Sequence, residues 1–262
     1  MAELSLKIRN KEGEILEGSS GTDFVSLVYA AEYQDGDSIV FETSEKNLHI
    51  VLQLDDALGT SFCYATDNVY YLIPFGEKRI SYSPKAFYGN CHYLYARVAT
   101  EEEIKNYRNL ALNINDQHGD THCYPHASAN VETRGESVFA ARNAIDGVCA
   151  NQSHGAWPYE SWGINRNPDA EMTVDFGRKV EVDKVVLVTR ADFPHDSWWT
   201  QVTLEFSDGS CLDWKLEKSV QPHTLNFEKK RISWVKLCKL IKAEDESPFP
   251  ALTQMEVYGR DI

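Results

Sequence analysis

Between residues 143 and 199 the chain gathers side chains suited to holding a polyhydroxylated ligand. Trp157, Tyr159 and Trp162 stand within six positions of one another, Trp198 and Trp199 follow as a pair, and Arg166, Arg190, Asp192 and His195 lie among them. Sugar recognition needs flat apolar faces for the C–H side of a pyranose and planar or charged groups for its hydroxyls. The aromatics supply such faces; the two arginines, Asp192 and His195 supply donors and acceptors. Strand alternation turns one of Trp198 and Trp199 into the core, which leaves Trp157, Arg190 and His195 as the chief candidates. On this reading Trp157→Ala and Arg190→Ala weaken binding without unfolding the protein.

Two other groups of residues have ligand chemistry. Asp146, Asn151 and Ser153 offer side-chain oxygens at irregular spacing, which is what a hard cation such as calcium requires. His118, His122 and His126 recur every four residues with Asp116 and Asp120 between them. On a helix that spacing would stack three imidazoles on one face, as zinc sites do. Gly119 and Pro125 oppose a helix, however, so the reading is of connector histidines bonded to backbone or water. No Gly-x-Ser-x-Gly, phosphate loop or His-Glu-x-x-His occurs, although glycosidase carboxylates leave no local signature.

The elements that must position these residues read as strands. Residues 24–30, 38–43, 48–54, 69–73 and 92–98 form apolar or alternating bursts separated by Gly, Pro and Asp turns. In 48–54 the apolar Leu48, Ile50, Leu52 and Leu54 alternate with His49, Val51 and Gln53, so one face is buried and the other partly wet. Thr100 with Glu103 makes a capping box for a helix of about two turns through Ile104, Tyr107 and Leu110. A polar connector follows. Strands resume at 171–176, 184–190, 201–207, 233–241 and 254–258, with Asp208-Gly209 turning a hairpin. The segment 143–162 is a loop, because Gly147, Gly155 and Pro158 interrupt both the helical and the strand period. Aromatic-rich loops of this length commonly bind a partner.

The order of motifs in the second half resembles the galactose-binding-like β-sandwiches of the discoidin and coagulation-factor C-terminal type. Asn143 to Gly147 (NAIDG), then Trp162, then Val174 to Gly177 (VDFG) and finally Met255 to Gly259 (MEVYG) carry the resemblance, over roughly residues 127 to 261. It implies that the loops at one end of the sandwich hold the ligand. It also implies a structural calcium shared by the opening loop and a glutamate of the closing strand, placing Asp146 with Asn151 and Ser153 opposite Glu256. Trp162 matches a tryptophan that packs beneath the loops. Calcium bound there would make chelation lower the melting temperature.

Composition narrows the partners. The 262 residues carry a formal charge of −14, which repels a phosphate backbone, so nucleic acid is excluded as a partner. No run approaches the roughly 18 apolar residues of a membrane span, so no membrane insertion is expected. The N-terminus lacks the apolar core of a signal peptide, giving a cytoplasmic expectation, or secretion if a signal has been removed. Six cysteines without a Cys-x-x-Cys pair fit reduced thiols, with Cys211 and Cys238 buried. The expected architecture is all-β: two tandem jelly-roll-like β-sandwich domains, 1–99 and 127–262, joined by a short helical connector at 100–126. The expected function is non-catalytic carbohydrate binding at the loop end of the second sandwich. The rivals are a carbohydrate-active enzyme with its site between the sandwiches, built on the histidine connector, and a protein-interaction module.

Overall fold

The computed structural model describes residues 1–119, 121–150, 157–192, 195 and 197–262. It is all-β, with antiparallel sheets around two hydrophobic cores. Two sheets close the first core. One runs in the order β2 (Ile15–Thr22), β1 (Glu3–Arg9), β4 (Ser38–Thr43), β7 (Val69–Leu72); the other runs β10 (Cys123–Tyr124), β6 (Ser61–Ala65), β5 (Leu48–Gln53), β8 (His92–Val98), β3 (Phe24–Tyr29). Along β1 the buried Leu4, Leu6 and Ile8 alternate with more exposed neighbours, the period of a strand with one face in the core. In β5 the second face is covered too: Val51 and Gln53 are buried, and His49 packs against Phe62 and Tyr64.

The second core depends on three long strands, β13 (Met172–Thr189), β16 (His223–Lys242) and β17 (Ala251–Asp261). Met172 to Asp175 pair with Leu237 to Trp234, and the ladder shifts register before resuming from Val180 opposite Ile232. Gly177 sits in this break with φ +66°, and a Cβ there would lie 2.5 Å from the Tyr124 ring. A strand broken in this way bends, so β13 and β16 each serve both layers of a sandwich. In the first layer β11 (His126–Ala129) flanks β13, and β14 (Trp199–Phe206) and β15 (Cys211–Lys215) extend β16. In the second, β17 pairs with β13 and carries β12 (Trp162–Gly163) and β9 (Arg108–Asn109) on its other edge. Val174 and Phe176 from one layer and Val185, Leu187, Met255 and Val257 from the other share one core. The Asp208-Gly209 turn joins β14 to β15 as expected, with Gly209 at φ +84°.

The capping box at Thr100 and Glu103 is formed, but α1 (Glu101–Lys105) is shorter than the expected two turns. It stops because Arg108 and Asn109 are drawn into β9 by β17, and Leu110 enters the second core instead of a helix face. The polar segment after it is a seam between the cores. Asn115 donates to the Leu52 carbonyl at 3.3 Å, the Gln117 amide both accepts from and donates to the Leu72 backbone, and Asn113 donates to the Pro125 carbonyl at 2.8 Å. His118 pairs with Glu132 and His126 with Asp116, each at 2.7 Å, while the His122 carbonyl accepts from the Thr66 amide. The three histidines therefore have separate partners, and among the described residues no group of three His, Cys, Asp or Glu converges on one point. The six thiols are free; Cys238 is buried, but Cys211 is exposed at the start of the edge strand β15. Among the described residues no helix is long and apolar enough to cross a membrane.

Asp261, at the end of β17, fastens the seam. Its carboxylate accepts from Arg108 and Arg178 and lies 3.2 Å from His49 Nε2, with the side chain 5% exposed. Burial raises this carboxyl, but hydrogen bonds from His49 and Arg178 and the two guanidinium charges outweigh it and hold it far below the usual range. A carboxylate depressed in the folded state adds stability above its unfolded pKa, about 3.9, and loses it as pH falls toward the folded value. Asp261→Asn should therefore cost about 3–5 kcal/mol at neutral pH, by leaving buried guanidinium charge unpaired. In urea melts the gap between variant and wild type should shrink below about pH 4. Equal midpoints at pH 7 would contradict this role.

Candidate functional site

Three stretches of chain meet at one end of the second core: residues 157–166, the described part of 190–199, and 247–251. Arg190 joins them. It is wholly buried, its Nε and Nη2 pair with Asp192 at 2.9 and 3.2 Å, and its Nη1 donates to the Tyr159 carbonyl. Its backbone N–H donates to Ala251 O at 2.9 Å. These donors are committed within the fold, so Arg190 holds the loops together and does not face a ligand, while its partner Asp192 stays partly exposed. This corrects the expectation for Arg190. A charged side chain beside loop aromatics reads as exposed, whereas here its planar fork replaces water as the partner of a carbonyl and a carboxylate.

The aromatics divide as well. Trp199 is fully buried in the second core and is no ligand contact, while Trp198 is half-buried and its carbonyl accepts from the Ala243 amide. Trp162 is also fully buried beneath the loops, its Nε1 donating to the Val131 carbonyl at 3.0 Å. Tyr159 is buried with Val138 and Phe139 in a small separate cluster. Trp157 is 38% exposed but does not line the cleft formed where the stretches meet.

That cleft encloses about 190 Å³ and is lined by Arg166 and His195 from the expected set. Its other walls are Arg134, Phe139, Asn165 and Phe249. Gly163 makes the floor possible, since a Cβ there would lie 2.6 Å from Thr133 Oγ1 and 3.1 Å from the Phe139 side chain. Asn165 and Arg166 both take left-handed backbone, at φ +49° and +60°, and the Asn165 amide donates to Thr133 Oγ1 at 2.9 Å. Consecutive non-glycine residues in that region are strained, and such strain persists where surrounding contacts fix a functional geometry. The result sets the Arg166 guanidinium 4.5 Å from the Phe249 ring centre. Arg134, at φ +53°, sits 5.7 Å from the Phe139 ring and pairs with Glu136. His195 is buried; its Nδ1 lies 3.2 Å from the Phe249 carbonyl, which can only accept, so Nδ1 carries the proton. Phe249 had a signal in the sequence as an aromatic between two prolines. Arg134 and Phe139 had none, because they come from a segment without strand or helix periodicity.

In the opening loop Asn151 and Ser153 fall outside the described residues. Asp146 is buried, and its Oδ1 accepts from the Val148 amide at 2.9 Å and from Gln254 Nε2 at 2.7 Å. Burial pushes the Asp146 carboxyl up to about 7, against the opposing charge of Arg142. Glu256 is half-buried and accepts from the Tyr258 hydroxyl at 3.0 Å.

A second cleft, of about 400 Å³, lies in the seam between Tyr82, His118 and Arg142. Among its described lining residues Glu77 is the one carboxylate and His118 the one histidine. Among those described residues neither a carboxylate pair nor a histidine triad is assembled.

No protein-family model matches the sequence, and no curated protein matches it. Among solved structures, the chain is similar to chitosan-binding module 1 of a chitosanase/glucanase from Paenibacillus sp. IK-5, at 19% identity over 58% of this chain and 98% of that module, with a TM-score of 0.41. It is similar to the family 32 carbohydrate-binding module of Clostridium perfringens NanJ, solved with galactose, at 18% identity over 50% of this chain and 91% of that one, with a TM-score of 0.39. It is also similar to the lectin domain of lectinolysin, solved with Lewis B antigen, at 19% identity over 59% of this chain and 97% of that one, with a TM-score of 0.43.

The burial of Arg190 makes a prediction opposite to that for a surface contact. Arg190→Ala strands the Asp192 carboxylate and the Tyr159 carbonyl and should cost about 3 kcal/mol of stability. Trp157→Ala, at a partly exposed position, should change stability by under about 0.5 kcal/mol. Thermal melts of the two variants separate the cases, and an Arg190 variant with a wild-type melt would show that the residue is not a structural tie.

Proposed function

We propose that the protein binds carbohydrate, without catalysis, in the cleft at the loop end of the second core. The observation that supports this most is the pairing of guanidinium groups with aromatic rings around a preformed hollow. Arg166 stands over the partly exposed Phe249, and Arg134 lies 5.7 Å from the buried Phe139 ring, so planar donors sit beside aromatic rings along the cleft. Phe249 keeps 38% of its surface exposed and can cover the C–H face of a sugar ring. Arg166, itself exposed, and Asn165 offer hydrogen bonds to hydroxyls.

Size and charge favour recognition over hydrolysis. The hollow of about 190 Å³ is smaller than the ~300–1,000 Å³ of drug-sized pockets, which suits one ring or a chain end. Its described lining includes no aspartate or glutamate, whereas glycoside hydrolysis generally employs two carboxylates across the scissile bond.

A glycan array would select a ligand, and isothermal titration of variants would locate it. Arg166→Ala and Phe249→Ala should each weaken binding by roughly tenfold or more, the equivalent of about 1.4 kcal/mol, with unchanged melting temperatures. Full affinity in both variants would remove the site from this cleft.

A further inference from the structure

The opening loop is fastened to β17 by the side-chain amide of Gln254. Gln254 Nε2 lies 2.7 Å from the carbonyl oxygen of Asn143 and 2.7 Å from Asp146 Oδ1, while Gln254 Oε1 accepts from the Gly147 amide at 3.1 Å. Asn143, Asp146 and Gln254 are all buried. A backbone carbonyl and a carboxylate oxygen thus converge on one point, and a nitrogen donor stands at it. A calcium ion held by the same two oxygens would sit about 2.3–2.6 Å from each. An ion at the position of Nε2 and the amide in this orientation exclude one another. Part of the charge is opposed internally as well. Arg142, buried and donating to Asn143 Oδ1 at 2.9 Å, opposes the charge of Asp146, whereas Glu160 adds to it.

We infer that the Gln254 side chain is a built-in replacement for a structural cation, so that the opening loop is held to the closing strand without metal. The amide contributes two hydrogen bonds where an ion would contribute two coordination bonds, and it returns a third to the loop through Oε1. Its shape also makes the site one atom away from a metal site. Replacing the amide nitrogen with oxygen converts the donor into a third oxygen ligand and adds the negative charge that a divalent ion requires. The loop end would then stay formed in media poor in calcium, where a metal-fastened sandwich would loosen.

The test is a set of thermal melts of the full chain, in a calcium chelator and in added calcium chloride. Wild type should melt at the same temperature in both. Gln254→Glu should melt below wild type in chelator, because the new carboxylate faces Asp146 with no donor between them. Added calcium at about a hundredfold over its Kd should raise the variant's melting temperature by roughly 5–10 °C. Gln254→Met, which keeps the length and removes the polar atoms, should also lose stability but show no response to calcium. A wild-type melt that rises with calcium would overturn the inference, whatever the variants do. So would a Gln254→Glu variant that matches wild type in chelator and ignores calcium.

Discussion

Arg190 is a charge with no access to water, and the loop end is built around satisfying it. A buried guanidinium is tolerated only when its donors are paired. Here a carboxylate two residues on and a carbonyl from a separate loop provide the pairing, while the same residue's backbone reaches the start of β17. Three stretches of chain far apart in sequence are thereby fixed relative to one another. The cleft between Arg166, His195 and Phe249 lies where they converge, so its geometry is set before any ligand arrives. Prior placement of this kind reduces the ordering cost of binding.

Beneath the loops, β13 and β16 cross from one layer to the other, and this ties the two sheets together covalently. The bend at Gly177 is packed against Tyr124, which comes from the seam, so the second core's closure and its contact with the first core are one construction. Asp261 repeats the pattern at the far end of the chain. It gathers His49 of β5, Arg108 of β9 and Arg178 of β13 onto a single carboxylate. The seam is polar because its side chains answer backbone groups: Gln117 pairs with Leu72 on the edge strand β7, Asn115 donates to the Leu52 carbonyl and Asn113 to the Pro125 carbonyl.

Much of the fold was legible from periodicity. The alternation of Val202, Leu204 and Phe206 and the turn at Asp208-Gly209 gave the β14–β15 hairpin, and Trp162 packs where its motif implied. The strand β13 was read as two, 171–176 and 184–190, since a bend with Gly177 at its centre looks in sequence like the end of an element. Residues 113–124 were read as a polar connector for a similar reason: polar composition marks both a solvated linker and a seam that satisfies buried backbone. The cleft was legible only in part. Arg166 and His195 line the cleft, whereas Arg190, Asp192 and Trp199 do not, because residue type says nothing about which way a loop side chain turns. Gln254 is the sharpest case. Its residue type carries no signal in the sequence, and only the convergence of Asn143 O and Asp146 on its amide sets it apart.

Whether sugar is held at the loop end is tested by backbone amide shifts on titration of isotopically labelled protein with a selected glycan. Binding there should give saturable shifts concentrated at Gly163, Asn165, Arg166 and Phe249, with the seam around Tyr82 and Arg142 unchanged. Shifts that gather at Tyr82 and Arg142, with the loop end silent, would contradict it.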